Sequence, residues 1–176
     1  EQLDGLERQP QLMRDALVAY QDSVFAAVAS GGDVAPEFEL LTIDEIEQRF
    51  ARAREDIDLQ ASFNLVSLWE AQLRRDYWVR VDERWKDDLS RAYREVHKSK
   101  DDPTKVRLVE DILEKIQACC PTCKHEVGAM KPIIPFRDWV AHGRYWDFDE
   151  ERVPDPETVV GTICVMLECI GMEAWV

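Results

Sequence analysis

Apolar residues recur along most of this chain in steps of three and four, the spacing of one face of an α-helix. The longest such stripe is Val66, Trp69, Leu73, Tyr77, Val81, Trp85, Leu89, Tyr93 and Val96. It predicts one helix over 59–98, which at 1.5 Å per residue would span roughly 60 Å. That is more than a compact domain needs, so the helix either bends or is shared with a partner chain. An earlier stripe of Ala16, Leu17, Tyr20, Val24 and Val28 predicts a helix over 11–30, stopped by Gly31-Gly32. Thr42-Ile43-Asp44-Glu45 reads as a capping box that starts a second helix, running to about residue 58. Asp102-Pro103 and Asp155-Pro156 both read as helix starts, with Asp as cap and Pro at the first position. Behind the first, Val106, Val109, Ile112, Leu113 and Ile116 face one way until Cys120-Pro121. Behind the second, Val160, Ile163, Cys164, Leu167 and Ile170 supply the face of a last helix. No strand pattern, hairpin signal, internal repeat or low-complexity stretch interrupts this. The fold class expected is all-α, an antiparallel helical bundle. Residues 1–58 would be an N-terminal helical extension or the first bundle helices, and residues 59–176 the bundle proper.

Composition fits that reading. The chain has 176 residues, 45% of them hydrophobic and 33% charged, with six Trp, four Tyr and six Phe to fill a core. The net charge of −14 changes the functional picture. A protein that coats nucleic acid is ordinarily basic, because phosphate contacts dominate its affinity. This chain would repel a polyanion at long range. Three readings follow: the chain does not bind nucleic acid broadly, it carries a small positive site on an acidic body, or it holds a basic protein partner. No apolar run approaches the roughly 18 residues of a membrane span, so no membrane partner is expected. The start, Glu1-Gln2-Leu3-Asp4, has neither a basic nor an apolar leader segment. It also lacks an initiator Met, so trimming at this end is expected. Five Cys, an odd number without a repeating framework, point to a reducing compartment, and cytoplasmic location is expected.

Candidate chemistry concentrates in Phe136-Arg137-Asp138-Trp139-Val140-Ala141-His142-Gly143-Arg144-Tyr145-Trp146. One reading is a plain helix end: Trp139 and Val140 in the core, Gly143 as the stop, and His142 against the last carbonyls. In the other reading the polar residues are a site. Arg137, four residues and His142 resemble the R-x4-6-H motif of the HEPN superfamily, in which Asn, Asp or His commonly follows the Arg; Asp138 stands there in this chain. The whole run is similar to Arg-Asp-Trp-x-Ala-His-Gly-Arg-Tyr-Trp, the signature of a bacterial HEPN-like group. Upstream, Glu70-Ala71-Gln72-Leu73-Arg74-Arg75-Asp76-Tyr77 resembles the same group's acidic and basic helix. The likeness extends from about Asn64 to the C-terminus.

The resemblance implies a four- or five-helix bundle that dimerises. It also implies metal-independent RNA cleavage, without a cofactor, in a cleft to which both chains contribute Arg and His. Helix geometry fits this division. Residues five apart on one helix lie about 140° apart, so Arg137 and His142 do not share a face, and a two-fold axis beside the helix would bring two copies together. Histidine is the side-chain type that changes charge near neutrality, so His142 would take the proton of a ribose 2′-hydroxyl, or return one as acid from the partner copy. The oxygen would attack the adjacent phosphate and leave a cyclic phosphate and a free 5′-hydroxyl. Arg137 would hold the charge growing on the phosphoryl oxygens, and Asp138 would orient Arg137 or His142. Arg144 would position a flanking phosphate. Tyr145 would stack on a base or ribose, or, with Trp146, pack on the final helix. The acidity suits a short exposed substrate such as a tRNA anticodon loop. A toxin or defence effector, held by an antitoxin, is the biological class this suggests. Two rival classes stay open: a non-catalytic HEPN-like module that binds a nucleotide or only dimerises, and an acidic helical interaction scaffold.

Cys119-Cys120-Pro121-Thr122-Cys123-Lys124-His125 is the remaining cluster. A Cys-x-x-Cys pair is half of a zinc site, and Cys120, Cys123 and His125 with a further ligand would be the alternative metal set. The second half is missing, and a reduced interhelical turn is the favoured reading. His97, near a helix end beside Lys98 and Lys100, is expected to be solvated.

Overall fold

The capping box at residue 42 is formed. The Thr42 N–H and hydroxyl both donate to Glu45 Oε2 at 2.8 Å, and the Glu45 N–H donates back to Thr42 Oγ1 at 3.3 Å. From it runs α2 (Ile43–Asp82). The computed structural model of the chain describes residues 2–102, 104–144, 147–149 and 153–172, with side chains from residue 8 onward. The regular elements among them are all helical, so the chain is an all-α bundle as its periodicity predicts. None of the described helices is long and apolar enough to cross a membrane.

Over residues 43–99 two helix boundaries differ from expectation. α2 has no break at residue 58, because nothing around that position stops a helix: the run 55–64 contains neither Gly nor Pro. The single helix expected over 59–98 is instead two. α2 ends at Asp82, and α3 (Asp88–Ser99) begins after the turn 83–87. Arg84 takes a left-handed φ of 53°. Asp87 then caps α3, accepting from the Ser90 N–H at 2.9 Å and its hydroxyl at 2.6 Å. Arg94 Nη1 holds the Trp85 carbonyl at 2.8 Å. Packing explains the reversal. Along a straight helix Tyr77 and Tyr93 would sit about 24 Å apart, whereas the turn brings their rings to 4.9 Å in one core. Trp85, on the turn, leaves the stripe and is 44% exposed.

The chain divides into two compact units, residues 1–61 and 62–175. In the first, α1 (Gln2–Ser30) starts earlier than the expected residue 11 and passes through Pro10, which forfeits one backbone hydrogen bond. It ends at Gly31, whose φ of 64° closes the turn: the Gly31 N–H donates to Val28 O and the Gly32 N–H to Ala27 O. Val24, Phe38, Ile46 and Phe50 form the core, with Leu17 and Val28 against it. Phe38 stacks on Phe50 at 5.5 Å, and Tyr20 presents its edge to both rings.

In the second unit the Asp102-Pro103 start is not used. Pro103 lies outside the described residues, and Asp102 Oδ1 closes a local turn on the Thr104 N–H and hydroxyl. A π-helical turn, Leu108–Leu113, begins after Arg107 and runs into α4 (Glu114–Cys119). Asp111 makes that later start possible: its carboxylate accepts from the Arg107 N–H at 2.7 Å and pairs with Lys100 at 2.5 Å. The 3-10 turn Pro121–Cys123 then leads to α5 (Lys124–Met130), and the 3-10 turn Lys131–Ile133 to α6 (Ile134–Ala141). α7 (Pro156–Cys169) starts as expected, with Asp155 accepting from the Thr158 N–H at 2.9 Å. α3 packs on α4 and α5 on α7, around Trp69, Tyr77, Ile112, Met130, Phe136 and Met166. Arg80, 5% exposed, fastens this core. It pairs with Asp76 at 2.7 Å and Asp87 at 3.2 Å and donates to Ile170 O at 2.8 Å, joining α2, the α3 cap and the end of α7.

His97 also departs from expectation. It is half-buried, with its ring edge-on to Trp78 at 5.4 Å and its Nδ1 buried without a hydrogen-bond partner among the described residues. The reversal at 83–87 folds α3 back on α2 and encloses it.

Candidate functional site

α6 carries the site. Pro135 sits in its first turn, and Phe136 and Trp139 are its buried residues. With those two inward, Arg137 lies at the edge of the buried face, its side chain 23% exposed. Its Nη2 pairs with Glu70 Oε2 on α2, and its Nη1 lies 3.4 Å from Asp138 Oδ1. Glu70 is shared: its other oxygen accepts from Arg74 Nε at 2.7 Å, and Arg74 Nη1 donates to Val106 O at 2.7 Å. A polar chain therefore runs from the backbone ahead of the π-helical turn, through Arg74 and Glu70, to Arg137 and Asp138. Arg137 Nε is buried with no hydrogen-bond partner among the described residues.

α6 ends in a Schellman turn. The Gly143 N–H donates to Val140 O at 3.1 Å and the Arg144 N–H to Trp139 O at 2.9 Å, with Gly143 at φ 81°. Gly143 is thus the stop that the helix-end reading expects. His142 is the C-cap residue (φ −92°, ψ 13°), its N–H on Asp138 O at 3.0 Å and its side chain exposed. The Arg144 guanidinium lies over the Trp139 ring at 5.6 Å, and Trp139 stacks on Phe148 at 4.9 Å. Trp139 is buried as expected, while Val140 is half-buried rather than core. Tyr145 and Trp146 lie outside the described residues. Arg137 is accordingly turned toward α2 from the middle of this short helix, and His142 is exposed at its C-terminal end.

Glu70 and Arg74 are the site residues that the motif alone does not single out. Their signal is an acidic and a basic residue four apart on a helix, a common surface pattern. What makes these two distinctive is the arrival of α6 beside them.

The alternative metal set is not assembled. Cys123 is buried, whereas the His125 side chain is 90% exposed and lies 3.7 Å from Glu126. Two positions apart in a helical segment means about 200° around the axis, so the two point to opposite sides. Among the described residues no three His, Cys, Asp or Glu side chains are grouped to hold a metal.

The chain matches no family model, and no curated protein or solved structure is significantly similar to it.

Proposed function

We propose that this chain is an HEPN-type endoribonuclease domain whose working site is completed by a second copy. The observation that carries this reading is the arrangement of α6. It holds a guanidinium at the edge of the core through Glu70 and presents an exposed imidazole where it ends. The resemblance supplies the metal-independent class of reaction. Arg137 binds the phosphoryl oxygens, and its planar fork suits their geometry. His142 accepts the 2′-hydroxyl proton, the 2′-oxygen attacks phosphorus, the bond to the 5′-oxygen breaks, and the second copy's His142 returns a proton to that oxygen. Glu70 and Asp138 position the Arg137 fork. Arg144 lies on the same helix end, within reach of a flanking phosphate.

The test is incubation of the purified protein with RNA in the presence of a chelator, beside His142→Ala. We expect cleavage that survives chelation, leaves 2′,3′-cyclic ends, and falls by at least about 100-fold in the variant, the lower range for loss of a general base.

A second reading draws on one observation. Both terminal nitrogens of Arg137 face carboxylates, Glu70 and Asp138, so the residue also serves as a clamp between α6 and α2. In that reading the domain is a non-catalytic HEPN-like module or an acidic scaffold for a basic partner. Absence of cleavage by the unmodified protein at high concentration decides for it.

A further inference from the structure

A cleft of about 230 Å³ opens between α2, the turn 83–87 and the residues that follow α7. Gln72, Asp76, Val79 and Arg80 supply one wall, Trp85 and Met172 the others. From Glu70, residues 72 and 79 lie about 200° and 180° around the helix axis, so this wall is the face of α2 turned away from the Glu70–Arg137 pair. The frame is held from several sides. Arg80 ties α2 to Asp87 and to the Ile170 carbonyl, and its guanidinium lies over the Trp85 ring at 4.9 Å. Arg94 holds the Trp85 carbonyl, and the Met172 N–H donates to Leu167 O at 2.9 Å. Two features of the cleft do not serve the fold. Gln72 is 3% exposed, and its Oε1 is buried without a hydrogen-bond partner among the described residues, which is a cost to folding. Val79 and Trp85, both apolar, are exposed at the mouth.

We propose that this cleft binds a small, neutral, fused-ring aromatic molecule that carries one N–H, with indole as the simplest member of the class. Size sets the ring system. A cavity of about 150 Å³ holds benzene, so 230 Å³ suits roughly nine heavy atoms. Gln72 sets the polar group. Its oxygen needs a donor, and its last side-chain torsion, which is broad for Gln, turns that oxygen to meet the ligand. Charge sets the rest. The charged residues that line the cleft, among those described, are Arg75, Asp76 and Arg80, two cations to one anion, which opposes an ammonium ligand. The chain's net charge of −14 opposes an anion. Arg80 already directs Nε to Asp76, Nη1 to Asp87 and Nη2 to Ile170 O, so the wall offers acceptors rather than donors. A purine, with several ring-nitrogen acceptors, would leave them unpaired. The ligand's ring lies beside Trp85 and against Val79 and Met172, where it buries apolar surface.

The test is titration of the full chain with indole and with indene, which has the same fused-ring frame but no N–H, followed by NMR of the Trp85 ring N–H and the Gln72 amide. We expect saturable shifts of both signals with a dissociation constant of roughly 0.1–1 mM for indole, and binding about ten-fold weaker for indene and for adenine. Val79→Trp adds a ring at the exposed mouth and should abolish indole binding. Gln72→Leu removes the buried oxygen that has no partner. It should leave the melting temperature unchanged or raised and bring indole down to the affinity of indene. The absence of a saturable shift at millimolar indole overturns the proposal. So does indene or adenine binding as tightly as indole, or indole binding that survives Val79→Trp.

Discussion

Arg80 serves two carboxylates that respond in opposite directions. Burial pushes the Asp76 carboxyl up, and the adjacent Arg80 guanidinium does not bring it back to the ordinary range. Burial acts on Asp87 too, but there the Ser90 hydroxyl and N–H, with Arg80, outweigh it and hold the carboxyl low. The difference is exposure: Asp87 reaches solvent and has cap donors of its own, whereas Asp76 has the guanidinium. Asp111 is the more useful probe. Burial raises its carboxyl, yet the Lys100 ammonium and the Arg107 N–H pull it below the usual carboxylate range. A carboxyl lower in the folded than in the unfolded chain stabilises the fold above its unfolded value, and this contribution is lost as pH falls through the folded value. Stability should therefore drop from about pH 5 downward. Asp111→Asn should cost about 1–2 kcal/mol at neutral pH and flatten that acid limb. Urea unfolding at a series of pH values checks this, and an unchanged acid slope would contradict the assignment.

Helix ends decide where the side chains of the site are delivered. The Schellman turn after α6 depends on Gly143 at φ 81°, and a Cβ there would meet no atom within 4 Å. Only backbone strain opposes a side chain, so Gly143→Ala should lower stability by about 1 kcal/mol, measurable by chemical denaturation. Under the proposed function it should also reduce cleavage, because His142 and Arg144 flank the displaced turn. Comparable end signals differed in how readily they could be read. Thr42-Glu45 and Asp155-Pro156 were legible because each cap bonds only to residues within its own first turn. Asp102 was misleading because its carboxylate found Thr104 two residues on, while the real start waited for Asp111, Lys100 and Arg107. The turn 83–87 contains neither Gly nor Pro, so an unbroken stripe ran across it.

The charge of the whole chain acts at longer range than any of these contacts. At −14 the protein repels RNA, and salt screens that repulsion over a Debye length of about 10 Å at 0.1 M. Most nucleic-acid binders weaken steeply as salt is raised. Under the proposed function, association with a short RNA should instead quicken, or stay level, as salt rises from about 0.01 to 0.1 M, because general repulsion is relieved before the few proposed Arg contacts are lost. Stopped-flow fluorescence with a labelled oligonucleotide reads this directly, and a steep fall over that range would place a larger basic surface in the interaction.

Periodicity alone was sufficient for the all-α class, for the residues of the α2 and α3 stripe, and for the start of α7, because helical spacing and first-turn capping are set by near neighbours in the chain. The Arg137–His142 run was equally visible as a pattern. Tertiary contact decided the rest. Tyr77 meeting Tyr93 required the reversal at 83–87; the arrival of α6 beside α2 made Glu70 the partner of Arg137; and the approach of the end of α7 gave Arg80 the Ile170 carbonyl. Each joins residues far apart in the chain, and such meetings depend on the free energy of the assembled core, which no local window contains.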